Sequence, residues 1–306
     1  MENYVFHITD PEDEVRIDKL LPEKFKDHSR SFFQKLLKDG LVRVNGNSVK
    51  SNYKVCSGDI IEMIIPEPDS LDVKPEDIPL DIIYEDEDLL VIDKPKDMVV
   101  HPAAGHYSGT LVNAVLYHCG DSLSGINGVL RPGIVHRIDK DTTGALLVCK
   151  NDFAHQALAE QLKEHSITRK YRAIVSGNIK DESGTVNAPI GRDTKDRKKM
   201  AVVRTGGKEA VTHYKVLEHF KKAAYVECVL ETGRTHQIRV HMSSIGHPLL
   251  GDPVYGPASN PYHLEGQALH AMVLGFVHPR TGEYMEFTSP LPDYFENLLV
   301  RLRNEK

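Results

Sequence analysis

Apolar and polar positions along the chain divide it at two places. In residues 31–39, Phe32, Phe33, Leu36 and Leu37 fall on one face at helical spacing, and Arg30, Lys35 and Lys38 are left to the solvent side. Gly40 follows as a left-handed terminator. Ahead of this helix, Arg16 to Leu21 predicts another that Pro22 interrupts, and after it come strand-like runs at 41–44 and 60–65 around an Asn45-Gly46 turn. Residues 67–80, with Pro68, Pro75 and Pro79 among acids, predict a linker. From 81 onward a hairpin is expected at 82–84 and 89–92, with Thr110 then capping a helix to Cys119 and Gly120 stopping it. Asp152 opens a helix toward His165, and strands are expected at 170–175, 211–217 and 224–230. Thr235 caps a helix to Ile245 ended by Gly246, and a strand at 285–287 and an amphipathic helix from Asp293 close the chain. Strands and helices interleave without a βαβ rhythm, which predicts an α+β fold with a mixed, largely antiparallel sheet. The expected organisation is therefore a small α+β domain at 1–66, a linker at 67–80 and a larger domain at 81–306.

One stretch stands apart from these periodicities. Between Gly133 and Gly144, apolar residues Ile134, Val135 and Ile138 lead into a polar block, and Ala145 to Cys149 lead out. The flanks predict two buried strands and the block a short turn closed by Gly144. The block concentrates His136, Arg137, Asp139, Lys140 and Asp141, and charges so close to a core need either partners or a purpose.

Charge changes the picture locally. The net charge of −6 argues against a nucleic-acid binder if taken whole. Yet residues 26–54 and 192–208 each carry seven Lys/Arg against two acids, while 67–88 carries ten acids against one base. Two basic patches, one including Arg30, Lys35, Lys38 and Arg43 and the other Arg192, Lys198 and Lys199, suit phosphate backbones. Lys198 and Lys199 fit simple solvation equally well. No apolar run approaches the roughly 18 residues of a membrane span, and the start shows no basic region ahead of an apolar core. The four cysteines form no CxxC pair, and a cytoplasmic protein with reduced thiols is expected. Nothing reads as a coiled coil or a long apolar surface stripe, so a monomer is expected.

Several chemistries lack their parts. His236 and His241 lie five apart rather than four, and the other histidines are scattered, so no metal is expected. No GxSxG elbow, kinase signature or phosphate loop is present. What remains is Asp139 in its turn, with Arg239 near a helix start as a cation able to pair with it bidentately. On residues alone, a structural salt bridge fits this pair as well.

Two resemblances add to that reading. Arg16 to Leu21, the basic helix ending in Lys38-Asp39-Gly40, and Val42-Arg43-Val44-Asn45-Gly46 resemble an S4 domain, a small module that binds structured RNA. The block His136-Arg137-Ile138-Asp139 with Thr142-Thr143-Gly144 resembles the signature of RluA/RluD-type RNA pseudouridine synthases. Supporting motifs stand in the family's order: Asp93-Lys94-Pro95, Thr168-Arg169-Lys170-Tyr171, Arg234-Thr235-His236-Gln237-Ile238-Arg239 and Gly251 to Gly256. Ile138 replaces the commoner leucine and puts nothing in doubt.

The resemblance implies Asp139 as the catalytic carboxylate, Arg239 as its ionising partner and Tyr171 as the residue that stacks on the base. It implies Arg137 filling the space left by a flipped nucleotide, and His136 shaping the turn rather than acting as a base. The implied reaction isomerises uridine in RNA without cofactor or metal. Large-subunit ribosomal RNA is the implied substrate, and tRNA stays open. The alternative from another class is a non-catalytic RNA-binding assembly factor, against which Asp139, Tyr171 and Arg239 together count.

Overall fold

The computed structural model describes residues 2–25, 30–65, 73–102, 106–120, 122–125, 132–194, 196, 199–257 and 259–305. The chain divides into two compact units, Met1–Leu71 and Asp72–Lys306.

The first unit holds β1 (Glu2–His7), α1 (Ile17–Lys24), α2 (Arg30–Lys38), β2 (Val42–Val44), β3 (Asn47–Ser48) and β4 (Ile60–Ile65). Its strands form an antiparallel sheet ordered β1-β4-β2-β3. Burial alternates along β4, so Ile61, Met63 and Ile65 face inward and join Leu21, Phe33 and Leu37 in one core. Pro22 does not interrupt α1 as expected but lies inside it. A proline removes its own donor and crowds the preceding turn. Here Leu20 and Leu21 are buried and anchor the helix across it, and Phe25 N–H closes the last turn on the Leu21 carbonyl at 2.9 Å. By sequence either Ser29 or Arg30 could open α2; Ser29 lies outside the described residues.

The second unit continues with β5 (Asp81–Glu85), β6 (Leu89–Lys94), α3 (Leu111–Cys119), β7 (Thr143–Cys149) and α4 (Asp152–Lys163). Next come β8 (Thr168–Ser176), β9 (Ser183–Asn187), β10 (Ile190–Arg192), β11 (Met200–Val202), β12 (Val211–His219) and β13 (Ala223–Leu230). It ends with α5 (Gln237–Ser244), β14 (Leu269–Val277), β15 (Tyr284–Thr288) and α6 (Asp293–Asn304). The main sheet runs β5-β6-β7-β14-β8-β13-β12-β9, with β15 also on β14, and β10-β11 form a separate hairpin. The β7–β14 pair is parallel and the other named pairs are antiparallel. The fold is α+β with a mixed, largely antiparallel sheet.

Three local departures from expectation have physical causes. Residues 135–138 do not form a strand. One edge of β7 is taken by β6, and the other is shared between β14 at Thr143–Gly144 and a single bridge from Ile134 to Val148. Between these contacts the His136 ring, not a backbone carbonyl, takes the Leu147 N–H, so the incoming segment makes no ladder. Second, part of the expected linker is docked. Residues 67–72 lie outside the described residues, but Val73 is buried, Ile78 and Leu80 pack on the core, and Asn113 Nδ2 on α3 donates to the Lys74 carbonyl at 2.8 Å. Third, the central strand β14 is absent from the expected elements: it shows no clean alternation, because both of its faces are covered along most of its length.

Candidate active site

Asp139 sits in the loop that enters β7, at the wall of a cavity of about 540 Å³ in the second unit. The loop is held from three sides. Thr142 N–H bonds back to the Asp139 carbonyl at 3.0 Å. His136 turns its ring onto β7, where Nε2 accepts the Leu147 N–H at 3.0 Å in place of a strand carbonyl. Burial, with Arg169 nearby, pushes His136 down to about 3, so it stays the neutral acceptor that this bond requires. On the third side Lys94 is fully buried, and its ammonium donates to the carbonyls of Pro95, Met98 and Lys140 at 2.6, 3.0 and 3.0 Å. Burial lowers Lys94 to about 7 against the pull of Asp141 and Asp139. At the loop's exit only glycine fits position 144, because a Cβ there would meet the Ala271 carbonyl oxygen at 2.3 Å.

Arg239 reaches this loop from α5. Its Nη1 donates to Asp139 Oδ2 at 2.8 Å, while Nε and Nη2 grip Asp252 at 2.7 and 2.9 Å. Asp252, fully buried, also accepts the N–H groups of Val254 and Tyr255. Burial alone would raise Asp252, but the Arg239 hydrogen bonds and charge hold it below the usual carboxylate range. Arg239 is thereby pushed further up despite its own burial. Its bidentate partner is thus Asp252, and it reaches Asp139 with one remaining donor. One cation faces two carboxylates, and the surplus negative charge falls on the less enclosed one. Among the described residues Asp139 Oδ1 accepts no hydrogen bond, and His236 Nε2 stands 3.8 Å from it.

The start of α5 differs from expectation. Its cap is His236 in a left-handed conformation with φ 57°, and Thr235 is exposed at the cavity. Gln237 orders this turn instead. Its Oε1 accepts from Thr232 and Arg234, and its Nε2 donates to Val211 and Thr212. A buried amide with four partners makes a threonine cap unnecessary.

Tyr171 lines the same cavity from β8, 7% exposed, and burial raises its hydroxyl pKa above the ordinary value, keeping it protonated. Arg137 is exposed at the cavity, with Nη1 at 3.4 Å from His101 Nε2. Asp139, Tyr171, Arg239 and Arg137 therefore converge on one cavity. Arg30, Lys35, Lys38 and Arg43 are exposed on the first unit, where Arg30 also binds the buried Asp18 at 2.6 Å. Arg192 is exposed at the end of β10 and Lys199 is half-buried in the hairpin, whereas Lys198 lies outside the described residues. That hairpin is tied to the site, since Met200 N–H donates to Tyr255 Oη at 3.0 Å and Tyr255 Oη bonds His236 Nδ1 at 2.8 Å. The sequence motif Gly251 to Gly256 contains Asp252 and Tyr255 but shows no role for them, because nothing local marks their partners.

Among the described residues, Asp86, Asp88 and His278 gather in metal-like fashion. Their oxygens are already occupied. Asp88 takes both donors of Arg280, and Asp86 accepts from Tyr84, two backbone N–H groups and His278. No helix of the described residues is long and apolar enough to cross a membrane.

Comparison with known proteins identifies the family. Residues 88–244 match the RNA pseudouridylate synthase family model, and 15–61 match the S4 domain. The chain is 59% identical over 288 residues to an uncharacterized RNA pseudouridine synthase of Bacillus subtilis, covering 94% of each. It is 49% identical over 303 residues to the ribosomal large subunit pseudouridine synthase D of Zymomonas mobilis, covering 94% of this chain and 95% of that protein. Among solved structures, human RNA pseudouridylate synthase domain containing 1 matches with a TM-score of 0.58 and 28% identity, over 78% of this chain and 98% of that one. A cavity walled by Asp139, Arg239 and Tyr171, a matching family model and relatives of this identity together mean that the chain belongs to the RNA pseudouridine synthase family, in its RluD-like branch with an S4 domain.

Proposed function

We propose that this enzyme isomerises specific uridines to pseudouridine in large-subunit ribosomal RNA, using Asp139 and no cofactor. The observation that carries the reading is the Asp139 carboxylate itself. One oxygen is tethered by an arginine locked on Asp252, and the other opens to a cavity shared with Tyr171. The relatives named ribosomal large subunit pseudouridine synthase D support the choice of RNA.

In this reading the first unit grips RNA through its exposed basic residues, and residues 81–306 perform the chemistry. A uridine inside a helix must be flipped out, at a cost of roughly a few kcal/mol, and Arg137 fills the vacated position. Tyr171 stacks on the extruded base. Asp139 then acts as an ionised carboxylate while C1′–N1 breaks, the uracil turns and C1′–C5 forms; the C5 proton leaves with the help of the Tyr171 hydroxyl, and N1 gains a proton. The basic hairpin, through Arg192, Lys198 and Lys199, contacts phosphates near the cavity.

The test uses unmodified large-subunit ribosomal RNA incubated with the protein, then digested to nucleosides and separated. Pseudouridine appears at defined sites, with equal yield after treatment with a chelator. Tight binding without any pseudouridine, from ribosomal RNA or tRNA, would instead favour a non-catalytic assembly factor.

A further inference from the structure

The cavity holds a second buried arginine that the reading above does not use. Arg169 on β8 is only 6% exposed, less than Tyr171 two residues later on the same inward face of the strand. Its Nη2 donates to the Glu231 carbonyl at 2.9 Å. Its Nε is buried without a partner, and Nη1 donates to nothing among the described residues. No described carboxylate pairs with it. Its charged and titratable surroundings are His136, which is neutral, Tyr171, and Arg234, which repels it. Gly233 adjoins it, and a Cβ there would stand 2.6 Å from the movable Nη1 end of Arg169.

A buried guanidinium without a counter-ion costs several kcal/mol in the free protein. Arg239, in the same cavity, has two carboxylates. The chain thus carries an uncompensated buried cation at the cavity that Asp139 lines. This is the arrangement of a site whose anion arrives with the ligand or develops during reaction.

We propose that Arg169 is the counter-charge for the uracil ring when it is detached, an inference that rests on the proposed isomerisation. When C1′–N1 breaks, the bonding pair leaves with N1, and the ring carries one negative charge spread over its N1, O2 and O4. This holds whether Asp139 attacks C1′ or takes a sugar proton. The charge is discharged when C5 supplies the pair for C1′–C5, C5 loses its proton and N1 gains one. Between those events Arg169 holds the base as an anion beside Tyr171, since among the described residues lining the cavity the other buried guanidinium, Arg239, is already paired with two carboxylates. A phosphate is the other anion RNA offers, but a backbone phosphate remains near the surface whereas the extruded base enters the cavity where Arg169 is enclosed.

The experiment is Arg169→Met and Arg169→Lys in the full chain. Single-turnover conversion at saturating RNA, RNA affinity over a salt series and thermal unfolding without RNA are measured on each. Conversion by Arg169→Met falls about 10²-fold, the loss typical of one donor to a developing anion. Its RNA affinity and salt slope stay as in the wild type, added guanidinium restores part of the rate, and Arg169→Lys lies between. The unfolding temperature of Arg169→Met does not fall, because the variant removes a charge that the ligand-free protein leaves unpaired. A lower salt slope by about one with an unchanged saturated rate would move Arg169 to a phosphate and overturn the inference. So would an unchanged rate and affinity, or a rate loss matched by loss of folding in both variants. An inactive wild type removes the proposed isomerisation and this inference with it, whereas an active wild type beside an unaffected variant removes this inference alone.

Discussion

In the first unit one buried carboxylate serves two arginines; in the second, one buried arginine serves two carboxylates. Asp18 is fully buried and accepts from Arg16 at 3.0 and 3.1 Å and from Arg30 at 3.1 and 2.6 Å, with Gln34 adding a bond at 2.9 Å. The two guanidiniums keep 40% and 47% of their side-chain surface exposed. That cluster carries a surplus positive charge at the surface, of use against an RNA backbone. Around Arg239 the proportions are reversed, and the surplus is negative at Asp139, facing a cavity. Under the proposed function the same residue types thus serve binding or chemistry according to which sign is left over and whether it faces solvent or a cavity.

Removing the carboxylate that does not face the cavity breaks the comparison most severely. Asp252→Asn leaves Arg239 without its bidentate partner, so the guanidinium is free to re-aim at Asp139. We expect conversion to fall about 10²-fold through misplacement, and unfolding free energy to fall by about 3–5 kcal/mol, measured by single-turnover assay and denaturant titration. A variant with full activity would mean Asp252 does not aim Arg239.

Asp18 gives a smaller effect with a defined pH signature. Burial would raise its pKa, but the bonds from Arg16, Arg30 and Gln34 prevail and lower it from 3.8 to about 2. A folded-state value below the unfolded one contributes stability above the unfolded pKa, and that stability is lost as pH falls through the folded one. The contribution is about 2 kcal/mol above pH 4, fading toward pH 2. Asp18→Asn should therefore weaken amide-exchange protection of α1 and α2 at neutral pH, leave β7 and β8 protected, and abolish the acid-dependent loosening of the first unit. Smallest of all are the exposed bases. Lys35→Gln and Lys38→Gln each weaken RNA binding uniformly and lower its salt slope by about one, without altering conversion at saturation.

The legibility of these features in the sequence followed their range. Thr110, Cys119 and Gly120 delimit α3 as read, because caps are local chemistry. Asp139, Tyr171 and Arg239 were legible from motifs, although 100 residues separate the first from the last. Asp252 and Arg169 lie inside sequence motifs that show no role for either. Asp252 matters only through a contact with Arg239 made in three dimensions, and Arg169 only through a partner it lacks. Alternation along β8 was the available signal for Arg169, since it places residues 169 and 171 on one face. Residues 134–138 look like a strand by composition, yet the His136 side chain takes the β7 N–H at Leu147 that a strand carbonyl would fill, which composition does not record.

The most direct test uses ribosomal RNA transcribed without modification and carrying tritium at uracil C5. Forming C1′–C5 must expel that tritium into water, so its release reports the chemistry at the carbon concerned. The account predicts release by the wild type and none above background by Asp139→Asn, whose RNA affinity and folding remain those of the wild type. Release by Asp139→Asn at the wild-type rate would contradict it, since the surplus charge on Asp139 would then have no part in the reaction.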